Sequence, residues 1–196
     1  GDEKDDAKLI GQFGVGFYSA FMIAERVSVD SRRAGAGEAW QRESDGKGTF
    51  TVSDVQKDGV GTSIVLHVRE GDEEFLEGHR LRNIIKTYSD HIAIPVALIE
   101  KADDGDGFKD PETVNSASAL WTRSKSDITD EQYNEFYHHV GHAFDDPWLT
   151  VHWRAEGTIE YSSLLVIPSS KPFDLFHPDR KNQVKLYVKR VFITDG

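Results

Sequence analysis

The sequence predicts two mixed α/β units, the first of which contains a mostly antiparallel sheet. Four short strand-like runs lie close together between residues 26 and 68, separated by turns rich in Gly, Asp and Ser. This spacing is typical of an antiparallel meander. Apolar residues recur at helical intervals before this group, after it, and again beyond residue 128.

The first unit is predicted to open with a helix that starts near Gly16. Phe17, Phe21 and Ala24 recur at i, i+4 and i+7, and further apolar residues make this helix nearly buried all round. The elements predicted after it are four strands, a helix and a last strand, in this order: Arg26–Ser31, Glu38–Glu43, Thr49–Val55, Thr62–Val68, Glu73–Ser89 and Pro95–Ile99.

A linker is predicted between the two units. Residues 102–115 are rich in Gly and Asp and have few groups to bury. We therefore expect a first domain over residues 1–101, a linker over 102–115, and a second domain over 116–196.

The second unit is predicted to contain a helix with a well-defined start. Thr129-Asp130-Glu131-Gln132 has the form of a capping box, and Ile128 and Tyr133 are placed for a hydrophobic staple. Pro147 ends the helix. Its predicted buried stripe is Tyr133, Phe136, Tyr137, Val140 and Phe144. The strands predicted after it are Leu149–Arg154, Thr158–Ile167 and Val184–Ile193.

The composition excludes several classes of protein. The 196 residues carry 23 Lys and Arg against 34 Asp and Glu, and this net charge of −11 argues against a broad phosphate-backbone footprint. The longest apolar run, Ile92 to Ile99, is too short to cross a bilayer. The absence of cysteine excludes disulfides and thiol catalysis and fits a reducing cytosol. We expect a cytoplasmic protein that binds neither nucleic acid nor a membrane.

The glycine loop is the sharpest candidate for a ligand site. Its order, Gly11-Gln12-Phe13-Gly14-Val15-Gly16, is not the dinucleotide fingerprint, and Phe17-Tyr18 stands where a Walker loop needs Lys and Ser or Thr. The loop can deliver several backbone N–H groups to a helix N-terminus, which suits an anion such as phosphate. The same glycines also suit a tight turn that lets a helix pack closely, so the spacing alone leaves both readings open.

Three other patterns are expected to be structural. Residues 103–107 formally fit a nucleotide-site pattern but lie in the predicted linker. His138 and His142 share a helix face, yet no third ligand is evident, so we expect no metal site. A basic strip is predicted to be a solvated strand face and consists of Lys181, Lys185, Lys189 and Arg190.

Ordered motifs along the whole chain are shared with one known family. The run Ile10-Gly11-Gln12-Phe13-Gly14-Val15-Gly16-Phe17-Tyr18-Ser19 resembles the signature of the ninety-kilodalton heat-shock (Hsp90) chaperones. Leu120-Trp121-Thr122-Arg123 resembles the start of the family's middle domain, and the likeness continues to Ile193. The short linker resembles the bacterial branch of the family.

The resemblance implies a partial Bergerat-type ATPase domain, an α+β sandwich with a mostly antiparallel sheet, followed by the beginning of an α/β middle domain. It also implies an ATP-driven, homodimeric, cytoplasmic chaperone that acts on unfolded or partly folded clients, with Mg²⁺ in the full-length protein. The family's lid hinge and phosphate-contacting loop correspond to Gly11, Gln12, Phe13, Gly14, Val15 and Gly16. Phe17 matches the residue whose backbone N–H meets the phosphates, and Thr62 matches the threonine beside the adenine.

The chain also departs from the family pattern. The family's catalytic glutamate, magnesium-binding asparagine and adenine-reading aspartate lie upstream of the glycine loop, and none has a counterpart here. Because the sequence begins at Gly1 rather than Met, we expect a fragment. The resemblance implies that this fragment contains neither a catalytic residue nor a metal ligand. The alternative is a non-enzymatic protein-interaction module, in which the glycine loop is only structural and the loop after Ile167 docks a partner.

Overall fold

A computed structural model describes residues 10–11, 14–102, 105–180 and 184–195 of the chain. The chain divides into two compact units, one up to Asn83 and the other from Ile84 onward. Both combine helices with antiparallel strands, which confirms the predicted fold class. Within the described residues, no helix is long and apolar enough to cross a membrane.

The first unit is built on a four-stranded antiparallel sheet in the order β3-β2-β1-β4. Its strands are β1 Ala24–Arg32, β2 Ala39–Ser44, β3 Phe50–Val55 and β4 Gly61–Val68. The first unit also contains two 3₁₀ helices, Gly16–Met22 and Glu73–Leu76, and the helix α1, Gly78–Tyr88, runs across the boundary of the units. The four predicted strands are confirmed to within two residues at each end.

One face of this sheet carries an apolar patch across β1 and β4. The register pairs Val27 with Leu66 and Val29 with Ile64 across β1 and β4, so these four side chains lie on the same side. Trp40 joins them from β2, and it is about half exposed, as Ile64 is. We call this side the apolar face.

The opposite side is polar. The Glu43 carboxylate accepts hydrogen bonds of 2.8 Å from both Arg26 and Ser28, and Gln41 donates to Asp30 at 2.8 Å. The bonds from Ser28 and Arg26 hold the pKa of Glu43 below its usual value.

After the end of α1, the described part of the second unit contains the helix α2, Asp130–Gly141, two short 3₁₀ helices, Leu120–Thr122 and Lys125–Asp127, and paired strands. The strands form three hairpins, β5 Ala97–Leu98 with β6 Glu112–Thr113, β7 Pro147–Ala155 with β8 Tyr161–Pro168, and β9 Lys185–Val188 with β10 Val191–Asp195. The core of the unit contains Leu120, Ile128 and Tyr133, against which Phe136 and Leu164 pack.

The start of α2 is confirmed in detail. The Thr129 hydroxyl accepts the backbone N–H of Gln132 at 3.3 Å, and the Gln132 side chain accepts the N–H of Thr129 at 3.2 Å. Ile128 and Tyr133 are buried in one cluster, as a hydrophobic staple requires.

The other end of α2 differs from the prediction. His142 adopts a left-handed conformation with φ of 50° and ends the helix after Gly141, five residues before Pro147 begins β7. Phe144 therefore leaves the helix and is fully exposed, so the predicted stripe ends at Val140.

The first helix also differs from the prediction. Gly16–Met22 is a 3₁₀ helix, in which the side chains repeat every three residues rather than along one α-helical face. Tyr18 is 59% exposed and Met22 76% exposed. The expectation of a helix buried all round is wrong, because this short helix contacts the sheet along one side only.

The predicted linker contains paired backbone. β6 lies within it and pairs with β5, and Lys101 bridges Phe108. Asn115 is buried, where its side chain accepts the N–H of Val96 at 2.8 Å. Backbone pairing needs few apolar side chains, so composition does not reveal it. The boundary between the compact units at Asn83 lies outside residues 102–115, and the predicted domain boundaries stay a prediction.

Candidate functional site

The glycine loop leads directly into the first 3₁₀ helix. Gly14 has a φ of 65°, a left-handed conformation that favours glycine. The first hydrogen bond of the helix runs from Tyr18 N–H to the Val15 carbonyl at 3.0 Å. The amides of Gly16 and Phe17 precede this bond, at the end of the helix where N–H groups have no partner within the helix. Gly11 is exposed, and Gln12 and Phe13 lie outside the described residues.

The first 3₁₀ helix and β4 border an open depression on the apolar face. Its lining combines residues of both elements, namely Gly16, Phe17, Ser19, Ala20, Met22, Ile23, Ile64 and Leu66. The start of the helix therefore lies over the sheet face that carries Ile64 and Leu66.

Two contacts hold this helix against the sheet. The side chain of Arg69, which follows β4, donates to the carbonyl oxygens of Phe21 and Met22 at the end of the helix. The Phe21 ring lies against Gly46 in the β2–β3 turn, where an added Cβ would come within 2.9 Å of the ring. Gly46 also has a φ of 77°, so both the turn and the close approach require glycine.

Thr62 lies on the same face, two residues along β4 from Ile64. It pairs with Ser31 of β1, and the two side-chain oxygens are 3.0 Å apart. Residues i and i+2 of a strand point to the same side and lie about 7 Å apart. Thr62 therefore lies about 7 Å beyond the depression, measured along β4. It is on the same surface as Gly16 and Phe17.

This arrangement places amide donors and hydroxyl groups around an apolar surface. Amides at the start of a helix suit an anion, and hydroxyl groups beside aliphatic side chains suit a flat ring with a polar edge. No cluster of three or more metal-ligating side chains is found in the part of the chain that the structure describes.

The second unit contains a buried polar centre that sequence reasoning missed. The Asp90 side chain accepts hydrogen bonds from His139 at 2.7 Å, from Ser116 N–H at 2.9 Å and from Lys86 at 3.3 Å. Burial by itself raises the pKa of Asp90, but these bonds outweigh it and the pKa lies below its usual value. Because Asp90 and His139 are 49 residues apart, no local pattern could have revealed the pair.

The remaining candidates have structural contacts. His138 donates to the Asp145 carbonyl oxygen at 2.9 Å, while His142 is exposed beyond the helix. In the basic strip, Lys185 donates to the Val140 carbonyl at 2.8 Å and Arg190 to the Thr122 hydroxyl at 3.2 Å, so these two bind within the unit. Asp103 and Asp104 of the linker pattern and Lys181 of the basic strip lie outside the described residues.

Comparison with known proteins identifies the family. Residues 105–196 match the family model described as "Hsp90 protein". The chain is 65% identical over 195 residues to the Chaperone protein HtpG of Paramagnetospirillum magneticum. The aligned region covers all of the chain and 30% of that relative. The chain belongs to the Hsp90 family. The proteins of the same name from Rhodospirillum rubrum and Rickettsia rickettsii are 60% and 56% identical, over 97% and 100% of the chain and 29% and 31% of their own lengths.

The resemblance inferred from the motifs is thus confirmed, including its bacterial branch. The matched region of this Hsp90-family chain includes both the glycine loop and Thr62, since it extends over the whole chain. The chain spans about three tenths of the length of these relatives.

Proposed function

We propose that this Hsp90-family chain is part of an ATP-dependent molecular chaperone and contributes part of its nucleotide site. The observation that carries the proposal is the shared surface of the glycine-loop helix and Thr62 on the apolar face. Under this proposal Gly16 and Phe17 direct amides at the phosphates, and Thr62 lies at the adenine end. Gly11, Gln12, Phe13, Gly14 and Val15 complete the hinge and the loop.

The rest of the proposal concerns the full-length protein. It binds ATP with Mg²⁺, is a cytoplasmic homodimer and acts on unfolded or partly folded clients, and it uses neither nucleic acid nor a membrane. The name Chaperone protein HtpG of the relatives supports the chaperone role. The family match begins at residue 105, inside the predicted linker, which supports a domain boundary within residues 102–115.

One observation favours a second candidate, a protein-interaction module without nucleotide. Phe173 is fully exposed and Phe176 is 81% exposed in the loop after β8, and exposed aromatic side chains are typical of interaction surfaces. These two functions are compatible in one protein, but only the first requires ATP.

Calorimetric titration with ATP, together with a phosphate-release assay, separates the candidates. The full-length protein is expected to bind and hydrolyse ATP. Hydrolysis requires a positioned base and charge stabilisation at the γ-phosphate. The family's catalytic glutamate and magnesium-binding asparagine have no counterpart in these 196 residues, so the isolated chain should not hydrolyse ATP. A full-length protein that binds no ATP would refute the proposal and leave the interaction module. Turnover by the isolated chain at the rate of the full-length protein would show that the catalytic groups lie within these residues.

A further inference from the structure

Ser31 lies directly opposite Thr62 on the apolar face. The two residues are paired across β1 and β4, with 3.0 Å between their side-chain oxygens. The next row on this face pairs Val29 with Ile64. The hydroxyl pair thus borders an aliphatic surface at the end of the sheet away from the first 3₁₀ helix.

The backbone around Thr62 is fixed by the residue after Ser31. The Arg32 guanidinium donates to the carbonyl oxygens of Lys57 at 3.0 Å and Asp58 at 2.8 Å, in the loop that leads into β4. Arg32 is also paired with Gly61 in the sheet. The loop and the strand end are thereby held together immediately before Thr62.

The remaining freedom at Thr62 is the direction of its hydroxyl hydrogen. Threonine has a stiff χ1 in a strand, but its O–H rotates to suit its partners. The contact with Ser31 couples the two hydroxyls. When Ser31 donates, the Thr62 hydrogen is free to point at a ligand, and when Thr62 donates to Ser31, its oxygen lone pair faces the ligand.

We propose that Ser31 is a positioning residue for recognition of the nucleotide base. It orients the Thr62 hydroxyl toward the polar edge of an adenine ring whose face lies on the aliphatic surface. This inference rests on the proposed function, in which Thr62 lies beside the adenine. A hydroxyl oriented before binding loses less freedom when the ligand arrives, so Ser31 contributes affinity without touching the base.

Calorimetric titrations of the full-length protein with ATP and with ADP test this role. Ser31→Ala is expected to weaken both nucleotides by about the same factor, roughly fivefold, because they share the base and differ only in their phosphates. Ser31→Thr retains the hydroxyl and should bind both nucleotides with an affinity within about twofold of that of the unmodified protein. The matched control is Ser63→Ala. Ser63 neighbours Thr62 on β4 but faces the other side of the sheet, where its hydroxyl accepts from Lys57 at 2.6 Å.

A double-mutant cycle separates positioning from a general structural effect. In the Thr62→Val background the hydroxyl that Ser31 orients is gone, so adding Ser31→Ala should change affinity by less than about twofold. A full loss in that background, or no loss from Ser31→Ala in the parent, would overturn the inference while leaving ATP binding established. If the unmodified protein binds neither nucleotide, the proposed function fails, and this inference fails with it.

Discussion

The His139 ring nitrogen Nε2 donates to the Asp90 carboxylate across 2.7 Å, and Asp90 is only 5% exposed. The same carboxylate accepts the backbone N–H of Ser116, and the Ser116 hydroxyl donates to the Asp90 carbonyl oxygen at 2.9 Å. One buried acidic residue therefore connects the segment after α1, the segment around residue 116 and helix α2.

Replacing this carboxylate should destabilise the second unit. Asp90→Ala leaves the Ser116 N–H and His139 without their acceptor, and we expect a loss of about 2 kcal/mol in the free energy of unfolding, measured with urea. The control is Asp146→Ala, whose side chain is 79% exposed and whose removal should leave the midpoint unchanged. Equal midpoints for Asp90→Ala and the parent would contradict the role of the buried carboxylate.

Acid should remove the same stabilisation. The pKa of Asp90 is lowered in the folded state, so its contribution is present above the unfolded pKa of about 4. This stabilisation is lost as the pH falls through the lower pKa that Asp90 has in the folded state. Urea midpoints of Asp90→Ala and of the parent should therefore converge at acidic pH, and a constant difference down to pH of about 2 would argue against this linkage.

His91 should make the unit less stable below neutral pH. Its ring lies 4.8 Å from that of Trp121 and 5.2 Å from that of Tyr187, and its Nδ1 donates to the Ser118 carbonyl at 2.6 Å. Burial lowers the pKa of His91. Below about pH 6.5 the unfolded chain binds a proton that the folded state disfavours, so stability falls as the pH decreases.

Urea titrations between about pH 7.5 and 5.5 measure this effect. His91→Gln should flatten the pH dependence, whereas His79→Gln, at a ring that is 73% exposed, should leave it as in the parent. The assignment to His91 would be wrong if both variants retained the parental slope.

The glycine loop should respond to substitution through two separate effects. Gly14 has a φ of 65° and Gly35, in the β1–β2 turn, has a φ of 78°. Apart from the adjacent residues, a Cβ at either would have no atom of the described residues within 4 Å. Alanine at each position should therefore cost about 1 kcal/mol of backbone strain. Only Gly14→Ala should also weaken ATP binding by the full-length protein, and calorimetry on both variants measures this.

Gly16→Ala completes that comparison. Gly16 has no positive φ, and its Cβ would have no atom within 4 Å in the described part of the chain beyond its neighbours, so we expect unchanged stability. A weaker ATP affinity would then report the approach of phosphate to the backbone. The phosphate-loop role is refuted if Gly14→Ala and Gly16→Ala both bind and turn over ATP as the parent does.

The hairpin in the predicted linker should restrict where a protease cuts. Gly105 and Gly107 are exposed turn residues with positive φ, whereas Val114 and Asn115 are buried. Limited digestion with a non-specific protease should therefore begin between residues 105 and 110, and end-group analysis identifies the cut. First cleavage inside α2 would contradict the proposed boundary.

Local patterns predicted the parts of the fold that depend on neighbouring residues. The capping box at Thr129 and the four strands of the first sheet follow from spacing along the chain, and they are confirmed. The 3₁₀ form of Gly16–Met22 was not predictable, because its apolar residues fit an α-helix equally well. Phe144 was misplaced because the prediction extended the helix to Pro147, whereas α2 ends at Gly141, directly after Val140, and His142 turns the chain in a left-handed conformation.

Contacts between distant residues were beyond the reach of spacing. Thr62 was selected through the family resemblance, and its partner Ser31, 31 residues away, emerged only from the strand register. Asp90 and His139 likewise meet through the fold of the second unit. For the candidate site, spacing indicated the glycine loop and the resemblance indicated Thr62. The sheet register places Thr62 on the apolar face, and the depression lined by Gly16, Phe17, Ile64 and Leu66 places the start of the 3₁₀ helix over the same face.

Hydrogen–deuterium exchange of the full-length protein, with and without ATP, tests most directly whether this surface is the nucleotide site. The account predicts that ATP slows exchange in two separate peptides, one containing Gly14–Phe17 and the other containing Gly61–Ser63. Binding of ATP with unchanged exchange in either peptide would contradict it.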